Sequence, residues 1–391
     1  MPLRLTTAGE SHGPRLTAIL EGMPAGLTID PAFVARDLAR RQHGYGRGGR
    51  MKIEKDTALF EGGVRGGLTL GTPIAIGIVN ADFANWAGVM DPFAVDPARA
   101  SAKRLTRPRP GHADLAGGMK FGARDLRDVL ERASARESAA RVATGAVCKL
   151  LLSASGIRVA SGVLSVGAVV DTQSARRFAA LEKVRDDSPL RAVDARLEPA
   201  MVAAVDEARS RGETLGGSIL VAAAGVPPGL GSYASWDRKL DGRLGQALLS
   251  VPAVKAVELG SAIEASRGPG SAAHDEIEKG KDGALRRRTN RAGGLEAGVT
   301  NGEDLVAVAY MKPISTLARG LDSIDLETGE PSRAAYERSD VTAVPACGVI
   351  LEAMLAFVLA DAVLELTGGD RLEDVLARLA AHRERVRRYP A

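Results

Sequence analysis

The stretch from Arg107 to Leu152 constrains this chain most, because it passes from backbone that cannot be regular into backbone with a clear period. It opens Arg107-Pro108-Arg109-Pro110-Gly111-His112, where two prolines lack an N–H and a glycine is free to turn, so a lone histidine is held in a shaped loop. Ala116-Gly117-Gly118-Met119-Lys120-Phe121-Gly122 follows. Leu126, Val129, Leu130 and Ala133, then Ala140, Ala143, Val147 and Leu150, then recur in steps of three and four, the period of a helix. Arg124, Arg127, Arg132 and Arg136 line its polar side, and Arg132 and Arg136, one turn apart, share a face with Ser134 between them. A loop imidazole followed by glycines and guanidinium groups beside a hydroxyl suits something small and strongly anionic.

The rest of the chain narrows the class. Its 391 residues have an ordinary apolar share, enough for a full core without disulfide staples. A formal charge of +4 is too small to draw a polyanion by bulk attraction, and the basic clusters come without interleaved aromatics, which argues against nucleic acid. Cys148 and Cys347 each sit in an apolar helical pattern and read as buried, reduced thiols of an intracellular protein. Glu10, Ser11 and His12 interrupt any signal-like apolar core, and the run Val344–Leu359, broken by Glu352, falls short of a membrane span. A soluble, cytoplasmic protein without a membrane partner is expected. No linker composition and no fixed-period repeat divides residues 1–391, which read as one domain.

Element signals come in loose runs rather than strict strand–helix alternation, so the fold class is α+β. Residues 3–8 and Leu16–Glu21 read as strands around a turn at Gly9–Gly13. Asp30 is placed to cap a helix over Pro31–Arg41, with proline where its missing N–H costs nothing. Further strands are expected at Lys52–Phe60, Thr72–Val79, Arg158–Val170, Gly216–Ala224 and Leu305–Tyr310, and helices at Leu197–Arg211, Asp241–Ser250 and Val344–Thr367. Asn80–Arg104 reads as irregular with Trp86 as a packing anchor, and Arg267–Arg291 as the most mobile loop. Asp370 and Glu373 have capping-box spacing at the start of a last helix.

Among candidate groups, Ser11 and His12 are neighbours, which in extended backbone points them to opposite faces and weakens a serine-hydrolase reading. No Gly-x-Ser-x-Gly elbow supports it in this motif. His112 has no evident packing reason to sit in a Pro-Gly loop. His43 reads as a surface residue, and His274 and His382 as structural. Arg36 and Arg40 fit a solvated helix face, whereas Arg41, Arg47 and Arg50 enter a glycine-rich loop whose amides can share an anion. Asp340, after Arg338 and Ser339, is either a salt-bridge partner or a base held near cations. No metal-ligand spacing and no Walker or dinucleotide fingerprint is visible.

Six blocks in order then resemble one family, the chorismate synthases: Ala8-Gly9-Glu10-Ser11-His12-Gly13; Gly44-Tyr45-Gly46-Arg47; Arg109-Pro110-Gly111-His112-Ala113-Asp114 through Glu131-Arg132-Ala133-Ser134-Ala135-Arg136-Glu137; Thr289-Asn290-Arg291-Ala292-Gly293-Gly294; Met311-Lys312-Pro313-Ile314-Ser315-Thr316; and Arg338-Ser339-Asp340-Val341. The resemblance spans almost the whole chain. It implies helices sandwiched between antiparallel sheets, a homotetramer with flavin near subunit contacts, and 1,4-elimination of phosphate from 5-enolpyruvylshikimate 3-phosphate to give chorismate. It implies reduced FMN as cofactor, with NADPH as a candidate reductant or an external flavin reductase in its place. By the same resemblance His12 lies at the substrate phosphate, His112 at the flavin and Asp340 on the path of the substrate proton. Arg41 and Arg47, with Arg50, Ser11 and Arg136, would hold phosphate of substrate or NADPH. Arg132, Ala133, Ser134, Pro252, Ala253, Ala297, Lys312, Pro313, Ile314, Ser315, Thr316 and Arg338 match flavin-contacting positions. Pro252 stands where many relatives have glutamine, and Ala297 where glycine is frequent. Two other classes remain for comparison: a metal-free hydrolase using Ser11 and His12, and a noncatalytic anion- or nucleotide-binding protein.

Overall fold

The computed structural model describes residues 2–48, 55–280, 283–337 and 340–389. Alternation builds the first sheet. Leu16, Ala18 and Leu20 on the strand Arg15–Glu21 face the same side as Ile74, Ile76 and Ile78 on Ile74–Val79, and the antiparallel register pairs them as Leu16 with Ile78, Ala18 with Ile76 and Leu20 with Ile74. Arg4–Ala8 and Leu59–Gly62 flank that pair, again antiparallel.

The second sheet is antiparallel throughout, in the order Val254–Leu259, Leu305–Met311, Gly217–Ala224, Arg158–Val166, Val169–Val170. Its central strands are apolar on both faces because both are covered. Ile219, Val221 and Ala223 face the helices, and Leu220, Ala222, Val306 and Val308 pack beneath Phe178 and Leu181. Between the sheets lie the helices Pro31–Gln42, Ser138–Ala154, Leu240–Leu249 and Val344–Thr367. Helices sandwiched between antiparallel sheets are thus the architecture. Gly145 lets the helix Ser138–Ala154 approach Ala353 of Val344–Thr367, where any Cβ would collide with the facing backbone. One hydrophobic cluster runs from Leu3 to Leu379 and joins both sheets through these helices.

Val344–Thr367 is long and apolar enough to cross a bilayer, yet it is buried in the middle layer. Glu352, fully buried on it, is met by a fork from Arg40 (both bonds 2.8 Å), by Lys149 (2.5 Å) and by the Ser161 hydroxyl (2.7 Å), with Arg191 at 3.3 Å. Burial pushes the Glu352 carboxyl up, but Arg40, Lys149 and Arg191 hold it well below the usual carboxylate range. Arg40 is therefore not a solvated residue, although Arg36 is, lying over the Phe33 ring.

Local signals mostly placed the elements. Asp30 Oδ1 caps Pro31–Gln42 by accepting from the Ala32 N–H at 2.9 Å. Further expectations need correction. Asn80–Arg104 contains two helices, Phe83–Met90 and Pro97–Lys103, the second capped by Asp96 with proline at its first turn. The helical period after Leu126 is broken: Arg127–Ala133 ends at Ser134, whose extended backbone and hydroxyl, accepting from the Arg136 N–H at 3.3 Å, start a new turn before Ser138–Ala154. No side chain caps Leu372–Arg387; Asp370 instead gives its carbonyl to the Ala25 N–H at 2.8 Å. Part of the Lys52–Phe60 strand lies outside the described residues, and pairing begins at Leu59. Within Arg267–Arg291 a hairpin pairs Ile277–Lys279 with Leu285–Arg287. Both cysteines are buried and unbridged, and burial pushes the Cys347 thiol up to about 12.

Candidate active site

His12 sits in the turn between the first two strands, and two helices converge on it. The helix Arg127–Ala133 brings Glu131, whose buried carboxylate takes the His12 ring Nδ1 at 2.8 Å and its backbone N–H at 2.8 Å. The helix Phe83–Met90 brings Trp86, stacked on the imidazole with ring centroids 4.0 Å apart. Arg127 and Lys103 also lie over that indole, each 5.1 Å from its centroid. Burial pushes the Glu131 carboxyl up, but its bonds to the His12 ring and backbone and the nearby Arg127 leave it lower than normal. Ser11, buried beside His12, accepts from the Ser134 hydroxyl at 3.2 Å.

Asn80 ties this turn to the arginines. Its amide donates to the carbonyls of Glu10 (3.1 Å) and Gly13 (2.7 Å), and its oxygen accepts from Arg136 Nε at 3.0 Å. Arg136 also reaches Asp56 at 2.5 Å, and the other oxygen of Asp56 takes Arg41 at 2.5 Å. One carboxylate is thus shared by two buried guanidiniums. Burial, opposed by Asp56 and reinforced by Arg136 and Arg47, lowers the Arg41 pKa. Buried Arg41 Nε has no acceptor among the described residues. Arg47 pairs with Asp340 at 2.9 Å, and Asp340 also accepts from the Gly48 N–H at 2.6 Å.

A second imidazole is built the same way. His112 Nδ1 lies 2.6 Å from Asp114, and Arg109 forks onto that carboxylate at 2.8 and 3.0 Å. Burial pushes Asp114 up, but His112 and Arg109 hold it far below the usual range. Arg109 also donates to the Thr316 hydroxyl (2.9 Å), while Ser315 donates to the Gly111 carbonyl (2.8 Å) and accepts from Lys312 Nζ (2.9 Å). Gly111, at φ +77, makes that docking turn. Burial and neighbouring Lys255 lower the Lys312 pKa, and no carboxylate pairs with it among the described residues. Ala253 gives its carbonyl to the Lys312 N–H at 2.9 Å. Thr214 and Leu215 join the loops, since Thr214 donates to the Ile314 carbonyl at 2.7 Å and the Leu215 N–H to Val341 at 2.8 Å.

The structure therefore gathers Ser11, His12, Ser134, Arg136 and Arg41 in one assembly, Arg47 with Asp340 in a second, and His112 with Lys312, Pro313, Ile314, Ser315, Thr316 and Ala253 in a third. Arg132 and Arg136 do not share a face. The break at Ser134 turns exposed Arg132 to the carbonyls of Thr7 (2.9 Å) and Gly9 (3.1 Å), while Arg136 turns inward. Ala133 is half-buried beside Ser134 at the helix end. Ala297 lies exposed in the Leu295–Thr300 hairpin, whose Gly298 carbonyl holds the first residue of Leu240–Leu249, whereas Pro252 follows that helix's far end. Ten residues of helix span about 15 Å, so the two are not neighbours through this connection. Arg50 and Arg338 lie outside the described residues. His382 is structural, with Nε2 2.7 Å from the Pro228 carbonyl.

Sequence reasoning gave no role to Glu131, Asp56, Asn80, Arg109 or Asp114. Only the rule that a buried charge needs a partner pointed to them, and it does not say which partner. No metal-holding cluster occurs among the described residues. Two carboxylate-backed imidazoles beside buried guanidiniums and a half-buried lysine can bind a multiply anionic small molecule and move protons at it.

Comparison with known proteins adds a family. The model of the family described as chorismate synthase matches residues 3–364. A chorismate synthase of Moorella thermoacetica is 53% identical, covering 98% of each chain, and one of Thermus thermophilus is 52% identical, covering 99% of this chain and all of its own. A solved crystal structure of chorismate synthase superimposes with a TM-score of 0.79 at 40% identity, covering all of this chain and 99% of the other.

Proposed function

This chain belongs to the chorismate synthase family, and on that premise we propose how its own residues carry out the family's reaction. The reaction is the last common step of the shikimate pathway to aromatic amino acids, loss of phosphate and a C6 proton from 5-enolpyruvylshikimate 3-phosphate to leave chorismate. The observation that carries the reading is the single Asn80 side chain that joins His12's turn to Arg136, Asp56 and Arg41, so that an imidazole is tied to two buried guanidiniums.

Arg41 and Arg136 bind and orient the substrate's anionic groups, with Arg47 and Arg50 at the loop that also serves NADPH phosphate. His12 passes a proton from Nε2 to the departing phosphate, which otherwise leaves as a costly anion. Asp340, steadied by Arg47 and the Gly48 amide, takes part in moving the C6 proton. His112, backed by Asp114 and Arg109, would hold a proton toward a bound flavin.

A flavin fits the residues present: Lys312 is half-buried with no carboxylate partner among the described residues, beside a serine hydroxyl and a glycine turn, a donor set for an anionic cofactor. Lys312–Thr316, Ala253 and Pro252 with Arg132–Ser134 and Arg338 would hold it, and Ala297 of a partner copy completes the set in a homotetramer. When bound, reduced FMN supplies electron density that eases C–O cleavage with no net redox change. We read residues 1–391 as one domain and the protein as cytoplasmic, with no nucleic-acid partner.

The test is anaerobic turnover of enolpyruvylshikimate phosphate with chemically reduced FMN, following chorismate by absorbance, then with oxidised FMN plus NADPH. Product with pre-reduced flavin alone is expected of an enzyme that relies on an external flavin reductase; product in both adds NADPH:flavin reductase activity. No product in either from folded protein would overturn the reading and favour a noncatalytic anion-binding protein.

A further inference from the structure

We propose that Glu131 is the positioning residue that fixes the tautomer of His12, with Trp86 fixing the plane of the ring. The inference rests on the reading of His12 as proton donor and goes beyond it by naming what makes that imidazole an acid at Nε2.

The geometry is specific. Glu131 holds one residue at two points, taking the His12 backbone N–H on Oε2 (2.8 Å) and the ring Nδ1 on Oε1 (2.8 Å) and Oε2 (3.0 Å). Its side chain is fully buried, and Arg127, 3.2 Å from Oε1 and itself paired with Glu337 at 2.7 Å, keeps it ionised. An ionised carboxylate only accepts, so Nδ1 must carry hydrogen. Nε2 is then the atom that gains and loses the proton, and Glu131 balances the charge of the doubly protonated ring. The Trp86 indole lies 22° from coplanar with the imidazole at 4.0 Å, which leaves the ring little freedom to tilt. Trp86 is held in turn by its Nε1–H donating to Asp82 at 3.1 Å.

Glu131→Gln separates this role from simple packing. Glutamine keeps the volume but has one acceptor oxygen. With that oxygen in the Oε2 place, on the His12 backbone N–H, its NH2 takes the Oε1 place nearest Nδ1, 2.8 Å away, where it can bond only to an unprotonated nitrogen. The neutral ring then carries its hydrogen on Nε2, and a doubly protonated ring would set donor against donor.

The experiment reads the ring directly in the ligand-free, full-length protein. Nitrogen NMR of labelled protein, with His12 signals assigned by their loss in His12→Gln, is expected to show hydrogen on Nδ1 at the neutral end of a pH series. In Glu131→Gln the hydrogen should move to Nε2. Anaerobic kinetics with reduced FMN should show kcat of Glu131→Gln reduced roughly 10²–10⁴-fold, with KM changed little, as for loss of a general acid's orienting partner. Glu131→Asp, which restores a carboxylate, should keep the parental tautomer and recover much of the rate, and it remains decisive if the glutamine variant does not fold. Trp86→Leu should lower kcat without changing the tautomer. The same tautomer in Glu131→Gln as in the parent, or a parental kcat in that variant, would overturn the proposal. A parental rate in His12→Gln would instead overturn the proton-donor reading beneath it, and the NMR arm alone would then decide whether Glu131 positions the ring.

Discussion

At the scale of single residues, the sequence marked the two imidazoles and the glycine-loop arginines, because isolated chemistry in irregular backbone is visible without a fold. Their partners were not visible. Glu131 lies 119 positions from His12, and nothing local distinguishes it from a helix-surface glutamate. Arg132 and Arg136 looked equivalent until Ser134 broke the helix and sent one outward and the other inward. Two substitutions test residues the sequence had singled out. Arg47→Ala removes a charge-assisted contact and should weaken phosphate-bearing ligands by roughly 1.5–3 kcal/mol, about ten- to a hundredfold in Kd by titration calorimetry. An unaltered Kd would leave Arg47 a structural residue that steadies Asp340. Ala297, at φ +52 in an exposed hairpin, carries left-handed strain of about 1–2 kcal/mol, of which glycine's extra chain entropy offsets about 0.5–1. Ala297→Gly should therefore raise the melting temperature slightly, and a lower one would show that the Ala297 methyl packs usefully in the assembled protein.

At the scale of elements, legibility followed how local the determinant is. Asp30-Pro31 starts its helix as the sequence reads, and Val344–Thr367 ends where it was expected, at Gly368, since a cap needs only its neighbours. Helices Phe83–Met90 and Pro97–Lys103 escaped notice because they bury no residue and so show no apolar period. Glu352 was read as a break in an apolar run. It is instead the fastening of the central helix to Pro31–Gln42, Ser138–Ala154 and the strand Arg158–Val166. Glu352→Ala should cost about 3–5 kcal/mol in denaturant melts, because it strands Arg40, Lys149 and Arg191 in the core with too little negative charge. A loss under 1 kcal/mol would mean that water or rearranged Asp37 and Asp186 take over the cations.

At the scale of the whole molecule, buried carboxylates link the fold to pH. Asp56, Asp114, Glu131 and Glu352 all have folded pKa values below their ordinary ones, each because arginine, lysine or histidine contacts outweigh burial. A depressed carboxyl contributes stability that is complete above its unfolded pKa, about 4, and is lost as pH falls toward the folded value. Below about pH 4 each such group therefore removes up to about 1.4 kcal/mol per pH unit, since the unfolded chain binds the proton first. These four groups are spread over the His12 site, the His112 loop and the central helix layer, while one apolar cluster connects both sheets. If the chain is a single cooperative unit, acid should release them together. Trp86 emission, isolated by Trp236→Phe because Trp236 is exposed, reports the His12 site, and far-UV circular dichroism reports the sheets and helices. Their acid midpoints should coincide, and should move to lower pH with added inorganic phosphate if Arg41 and Arg136 bind it only in the folded state. A Trp86 transition well above the circular dichroism midpoint would instead divide the chain, with the His12 site opening on its own while the sandwich of sheets and helices persists.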